Sequence, residues 1–383
     1  MERARGFSLL ELTIAMALGT LVLGAAVQLY SQGVNATWVV SQRAEMQQDF
    51  RAASNMLTRD LSLAGAGLGD NVQLALITAA KTPVIGCDQT GKCWINNAAL
   101  PYPKQGTTPY MYGLIPEWQK GPSMNSTLTD AVTVVFTDSN FYMNCYSASV
   151  TSATVVKFQL NSAAIPTGCL PTGVTTPQAL NDASLGLTAG DVIIFTLTSG
   201  SGSGATTSQI VAEVTAAPVV TTPTPPNTSA YNITFALNDA LLMNQGSATA
   251  GALSKVLNWT GTGTRALVTS YFIDNTTTPP RLMRQVSGHT AMPVAENVVF
   301  LQFDYDLYAN GTVYTNQPDG GASVTPTALT PNQITKINVR HMAMDSTLNG
   351  GLFGGNKGFQ GMDLQTSVSA RDLTYQNGYP IGP

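Results

Sequence analysis

The chain has 383 residues, enough for one large domain or two ordinary ones, and a formal net charge of −4. Only 10% of its residues are charged, while Gly, Pro, Thr, Ser and Asn are abundant, a balance common in exported β-rich proteins and unusual in cytosolic enzymes. The composition lacks the basic footprint that nucleic-acid binding by bulk charge requires.

The first element is apolar. From Phe7 to Tyr30 the strongly polar residues are Ser8, Glu11, Thr13, Thr20 and Gln28. As a helix this stretch is about 36 Å long, enough to cross a bilayer. Arg3 and Arg5 precede it, so the positive-inside bias places the N-terminus in the cytoplasm. Glu11 is the anomaly, because a carboxylate near the bilayer interior costs roughly 2.5–3.5 kcal/mol. An ordinary signal peptide needs a small-x-small cleavage site, which Gly24-Ala25-Ala26 meets only loosely, and it leaves Glu11 unexplained.

Beyond the apolar run the helical pattern continues. Met46, Phe50, Ala53, Leu57 and Leu61 recur at spacings of one helical face, and Gln42, Arg43, Gln47, Gln48, Arg51 and Arg59 supply polar positions around it. Glycines at Ala64-Gly65-Ala66-Gly67 predict the end, for a helix of roughly 85 Å. After Gly69 the pattern turns to short β runs separated by turn residues. Strands are expected over Ala131–Thr137, Ala153–Leu160, Asp191–Thr198, Gln209–Thr215, Tyr231–Leu237, Ala266–Ile273, Arg281–Val286, Asn297–Leu307, Ile334–Met342 and Leu364–Ala370. In the Asn297–Leu307 run, Val299, Leu301, Phe303 and Tyr305 share a face by alternation. Ser199–Thr207 reads as a hairpin tip, Thr221–Ser229 as an extended loop, and Asn349–Gly361 as a glycine-rich connector. The whole predicts an α+β protein, a long N-terminal helix packed on an enlarged antiparallel sheet domain.

Four cysteines in an exported chain predict two disulfides among Cys87, Cys93, Cys145 and Cys169. Three pairings are open, with isolated buried thiols as the alternative, and proximity favours Cys87–Cys93 and Cys145–Cys169. No metal or other cofactor is expected, since neither histidine lies near a cysteine and no CxxC occurs.

Arg5-Gly6-Phe7-Ser8-Leu9-Leu10-Glu11 resembles the type IV prepilin processing site. The resemblance implies that a prepilin peptidase/methyltransferase cuts between Gly6 and Phe7 and methylates the Phe7 amine. Residues 1–6 are then a leader, 7–30 a transmembrane and filament-core helix, 31–65 its amphipathic continuation, and 66–383 the globular head. Glu11 would pair with a new amine in the same low-dielectric layer and align an incoming subunit with its neighbour. Many major pilins carry a helix-kinking proline in this apolar half; here only Gly19, Gly24 and Gly33 interrupt it.

Several head segments resemble the PilW-like minor pilins and the related J-type type II secretion pseudopilins. They are Met56-Leu57-Thr58-Arg59-Asp60-Leu61, Thr129-Asp130-Ala131-Val132, Gly190-Asp191-Val192-Ile193 with Ile210–Thr215, Tyr271-Phe272-Ile273 with Leu282-Met283-Arg284, and Val294–Val298 with Phe303-Asp304-Tyr305. Ile334–Arg340 and Thr366–Arg371 resemble the two closing strands. The resemblance implies a non-catalytic minor pilin of a priming or tip complex. Its partners would be other minor pilins, the major pilin and the inner-membrane assembly platform. It would sit in the inner membrane with its head in the periplasm, then at the pilus surface. A type II secretion pseudopilin is the alternative, and a pilus-mounted adhesin a further one; motility, adhesion, DNA uptake and secretion all stay open as the use of the fibre.

Three patterns compete with this reading. Gly86–Cys93 nearly spells a P-loop but ends in Cys, and no helical pattern follows it. His289 and His341 lack the motifs of a hydrolase, and no GxSxG elbow occurs. Asp304 and Asp306 share a strand face without a calcium loop around them, so solvated charges are the expectation.

Overall fold

A single helix of 54 residues, Leu9–Ser62, opens the architecture. The computed structural model describes residues 8–68, 73–76, 84–87, 93–95, 110–124, 126–160, 165–200, 204–221, 230–245, 251–309, 311–317, 330–345, 361–370 and 372–373. The helix has two regimes. Up to Glu45 its described side chains stand free apart from a half-covered Ala36, whereas Met46, Ala53, Leu57, Leu61 and Ala64 are buried and Phe50 is partly covered. That buried face is the one the spacing predicts. It packs on strands Met292–Glu296, Ile334–Asp345 and Gly361–Val368.

The helix ends where glycine permits it. Gly65 and Gly67 have φ of +83° and +75°, and a Cβ on Gly67 would stand 1.9 Å from the Thr137 hydroxyl. The Gly65 amide donates to the Val135 carbonyl and the Thr137 amide to that of Ala66, both at 2.9 Å, so the turn is sewn directly onto strand Ala131–Thr137.

All strand pairings among the described residues are antiparallel, and the largest sheet is built along one 15-residue strand, Thr260–Asp274. Its first half pairs with Val192–Ser199 on one edge and touches Ser147–Ser152 on the other. Its second half pairs with Arg281–Val286 and Ala131–Thr137, and Leu114–Glu117 and Met292–Glu296 extend the sheet on either side. A separate four-stranded sheet runs in the order Thr312–Gln317, Val298–Ala309, Ile334–Asp345, Gly361–Val368.

Among the described residues this arrangement makes two large hydrophobic cores, beside a small cluster of Ala131, Phe272 and Met283. One lies beneath the helix and joins Leu57, Leu61, Val132, Val134, Tyr271, Phe303, Tyr305, Ile337 and Val339. The other, without the helix, gathers Tyr146, Phe158, Phe195, Ile210, Tyr231, Ile233 and Phe235. Around it the sheet curls back on itself. Strand Thr206–Glu213 pairs with Val192–Ser199, and its continuation Ala216–Thr221 pairs with Ala230–Thr234 at the far end of the same sheet. Phe195 and Phe235 meet edge to face at 5.3 Å inside it.

Several expected strands are longer or shifted. The long strand begins at Thr260 rather than Ala266, because Gly261 and Gly263 read as loop yet serve close packing. A Cβ on Gly263 would stand 2.9 Å from the Phe158 ring, and one on Gly261 1.9 Å from the Thr196 carbonyl oxygen. Strand Ser147–Ser152 was not expected at all. In Val298–Ala309, Leu301, Phe303 and Tyr305 share the buried face, but Val299 leaves it, because a register shift between Val298 and Phe300 moves the phase by one. The connector at 349–360 lies outside the described residues.

Candidate functional site on the N-terminal helix

The free end of the helix is closed by its own side chains. Ser8 is extended (φ −72°, ψ 142°), and its hydroxyl accepts from the Leu10 amide at 3.3 Å, while Glu11 Oε2 accepts from the Ser8 amide at 3.1 Å. This reciprocal capping box satisfies two of the donors that a helix start leaves unpaired. Its signature, Ser-x-x-Glu, is present in Ser8-Leu9-Leu10-Glu11, and the reading of Glu11 as a pairing residue passes over it. Glu11 therefore already has a partner within its own chain. Gly6 and Phe7, the two residues of the expected cleavage, lie outside the described residues.

Further along, the hydroxyls of Thr13, Thr20 and Thr37 donate to the carbonyls of Leu10, Ala17 and Gly33, each at 2.9 Å. These three hydroxyls are thus satisfied within the helix while its apolar side chains face outward, from Leu9 at 79% exposed to Leu29 at 69%. The segment is long and apolar enough to cross a membrane. Such surface chemistry suits lipid or other helices, where unsatisfied polar groups are costly.

The opposite end is docked by polar contacts as well as apolar ones. Asp60, in the last turn, is buried; its Oδ2 accepts from the Tyr271 hydroxyl at 2.7 Å and from Arg284 Nε at 2.8 Å. Arg284 Nε also lies 3.2 Å from the Tyr271 oxygen. Burial, then the Asp60 carboxylate, pushes the Tyr271 hydroxyl far above its ordinary range, so it stays a donor. The three residues pin the helix to neighbouring strands of the main sheet.

Asp130 plays a related part between sheets. Its carboxylate accepts from the amides of Gln119 at 2.7 Å and Phe303 at 2.8 Å, and its own amide donates to the Leu301 carbonyl at 2.8 Å. This gives Asp130 of the Thr129-Asp130 pair a structural role, joining the four-stranded sheet to the main one. Burial raises the Asp130 carboxyl to about 6 despite those bonds. Nearby on its paired strand Glu117 is buried with neither carboxyl oxygen hydrogen-bonded, and burial raises it to about 8. Glu213, also buried, is raised by desolvation and by the adjoining Asp239; its Oε2 accepts from the Leu241 amide at 2.7 Å.

The remaining sequence-derived residues are dispersed. Cys145 and Cys169 form the expected disulfide, bordering the second core. Cys87 and Cys93 are register partners across a hairpin, Val84–Cys87 with Cys93–Ile95, but their side chains lie outside the described residues. That hairpin takes the place a P-loop would give to a helix. His289, in the turn after Arg281–Val286, has its Nε2 3.0 Å from Asp191 Oδ1, and His341 Nδ1 lies 2.8 Å from Asp363 Oδ2 in the four-stranded sheet. Among the described residues no group of three His, Cys, Asp or Glu side chains is placed to hold a metal. Asp306 departs from the expected solvated state: its side chain is only 13% exposed, it lies 3.6 Å from the Lys336 amine, and it accepts from the Asn316 amide at 2.9 Å. Asp304 departs from it as well: it is only 6% exposed, and burial raises its carboxyl.

A free apolar helix docked by its C-terminal third on a β-rich head fits a single-pass inner-membrane protein. The family described as the prokaryotic N-terminal methylation motif matches residues 1–27, which cover the expected leader, the Gly6–Phe7 junction and the apolar start of the helix. This match supports a type IV prepilin-like protein. The motif indicates a structural pilin rather than an enzyme, and it implies processing by a prepilin peptidase and assembly with other pilins into a pilus or pseudopilus. No curated protein and no solved structure matches the chain significantly.

Proposed function

We propose that this chain is a PilW-like minor pilin, cut between Gly6 and Phe7, methylated on the Phe7 amine, and incorporated into a type IV pilus within the priming complex at its tip. The observation that carries this reading is the methylation motif standing at the head of a helix that stays free for more than half its length. In this division of the chain, residues 1–6 are the leader, 7–30 the membrane and filament-core segment, 31–65 the amphipathic continuation, and 66–383 the head. The N-terminus is cytoplasmic and the head periplasmic until the subunit is drawn into the filament. Glu11 serves subunit alignment by exchanging its own helix cap for the amine of a neighbour. The second core supports a terminal position, because it enlarges the head on strands that the helix does not touch. A shaft subunit would have to pack that bulk against every neighbour.

The test is intact-mass and N-terminal analysis of the membrane-extracted protein, with and without the prepilin peptidase. A chain beginning at methyl-Phe7, lost without the peptidase, is the expected result; a chain beginning after Ala26, or at Met1 with the peptidase present, overturns it. Position is tested by abundance in sheared filaments, where a tip subunit is far scarcer than the main pilin. A type II secretion pseudopilin shares the N-terminal motif, and co-purification with secretion components instead of pilus components would favour it.

A further inference from the structure

The filament-core segment ends at Tyr30, and between it and the head lies a stretch that the dock does not account for. Tyr30 and Trp38 are 75% and 63% exposed there. They stand about 12 Å apart along the axis. Gly33 leaves open space where a Cβ would be, and with Val34 and Thr37 it makes a shallow notch between the two rings. The Thr37 hydroxyl is already bonded to the Gly33 carbonyl at 2.9 Å, so the notch presents ring edges and methyl groups.

From the geometry we infer that Tyr30 and Trp38 form an aromatic girdle in the headgroup layer of the outer leaflet, which sets the depth of the chain before assembly. This rests on the reading of the helix as a membrane span, and it adds where the bilayer ends. The length fits: from Ser8 to Trp38 the helix covers about 45 Å, the thickness of a bilayer with its headgroups. With the Ser8–Glu11 cap at the cytoplasmic boundary, Trp38 reaches the opposite one. The charge pattern fits too. After Glu11 the next charged residue is Arg43, and Ser41, Arg43 and Glu45 are exposed. Tyr and Trp are the side chains that gather at such boundaries, because each joins an apolar ring to one polar atom.

A stand-off follows. Met46 is the first helix residue buried against the head, about 12 Å of helix beyond Trp38. The head is thus held clear of the lipid surface on a short polar stalk. Nothing in the head's packing uses the two rings, so an ordinary structural role does not explain them.

The test uses the full-length protein in phosphatidylcholine vesicles, with quenching groups on the lipid headgroup or at the chain end, and iodide in the water. The chain has four tryptophans, so the difference between the native protein and Trp38→Phe isolates the Trp38 signal. The expected result is several-fold stronger quenching of that signal by the headgroup label than by the chain-end label or by iodide. Quenching by iodide alone, in protein that survives an alkaline wash in the vesicles, overturns the girdle and leaves the span intact. Shielding from all three quenchers overturns it in favour of a contact between copies. Loss of the protein in the wash overturns the span and the girdle together.

Discussion

At the scale of single residues, Glu11 and Glu117 are two carboxyl groups in apolar settings with opposite solutions. Glu11 is held by the Ser8 amide, and the cap and the charge can be separated, because Gln serves a capping box as Glu does. Glu11→Gln is expected to keep the first helical turn and abolish filament entry, whereas Glu11→Ala loses both. Amide exchange at Leu10 and Glu11, read beside the amount of subunit in sheared filaments, separates the two effects. Glu117 has no such partner and keeps its proton instead. Its folded value of about 8 lies above the ordinary 4.5, so between these values the folded state binds a proton that the unfolded state has lost. Stability must therefore fall as pH rises from about 5 to about 8, by at most roughly 5 kcal/mol from this group. Glu117→Gln is expected to flatten that slope in melting curves across the window; an unchanged slope would show that the carboxyl is not the cause.

Among elements, the joint between helix and sheet is the one most open to a single change. Asp60→Ala leaves Arg284 and the Tyr271 hydroxyl without their acceptor. The cost is about 3 kcal/mol, toward the lower end for a broken buried pair because Arg284 keeps 26% of its side chain in water. Urea unfolding of the detergent-solubilised protein measures this, and Asp60→Asn should recover part of it. The helix itself was legible from its sequence, since Met46, Ala53, Leu57 and Leu61 announce the buried face by spacing alone. Its anchor was not. Asp60 belongs to a recognisable helix-end motif, yet Tyr271 and Arg284 lie more than two hundred residues away, and no local pattern records such a partner. The start of Thr260–Asp274 was hidden for another reason. Gly261 and Gly263 weaken a strand by propensity, and their use, making room for the Phe158 ring and the Thr196 carbonyl, exists only once the sheet has formed. The capping box, by contrast, stood in plain view at Ser8 and Glu11.

For the whole molecule, the division into two cores around one strand sets which parts fail together. The Cys145–Cys169 bridge closes a loop with a sequence separation of 24 beside the second core. Cys145→Ser with Cys169→Ser should lower the stability of that lobe by about 3 kcal/mol on loop-entropy grounds. Hydrogen exchange should show the loss at Phe195, Ile210 and Ile233, with little change at Leu57 or Val134. The docked end of the helix also gives the molecule a load path. A fibre subunit is pulled through its helix, and here the pull enters the head along the buried face from Met46 to Ala64 and through the Asp60–Arg284 contact. It then spreads into the strands beneath. Those contacts lie side by side along the direction of pull, so they resist together in shear instead of peeling one at a time. The second core, which contains no residue of the helix, lies outside that path.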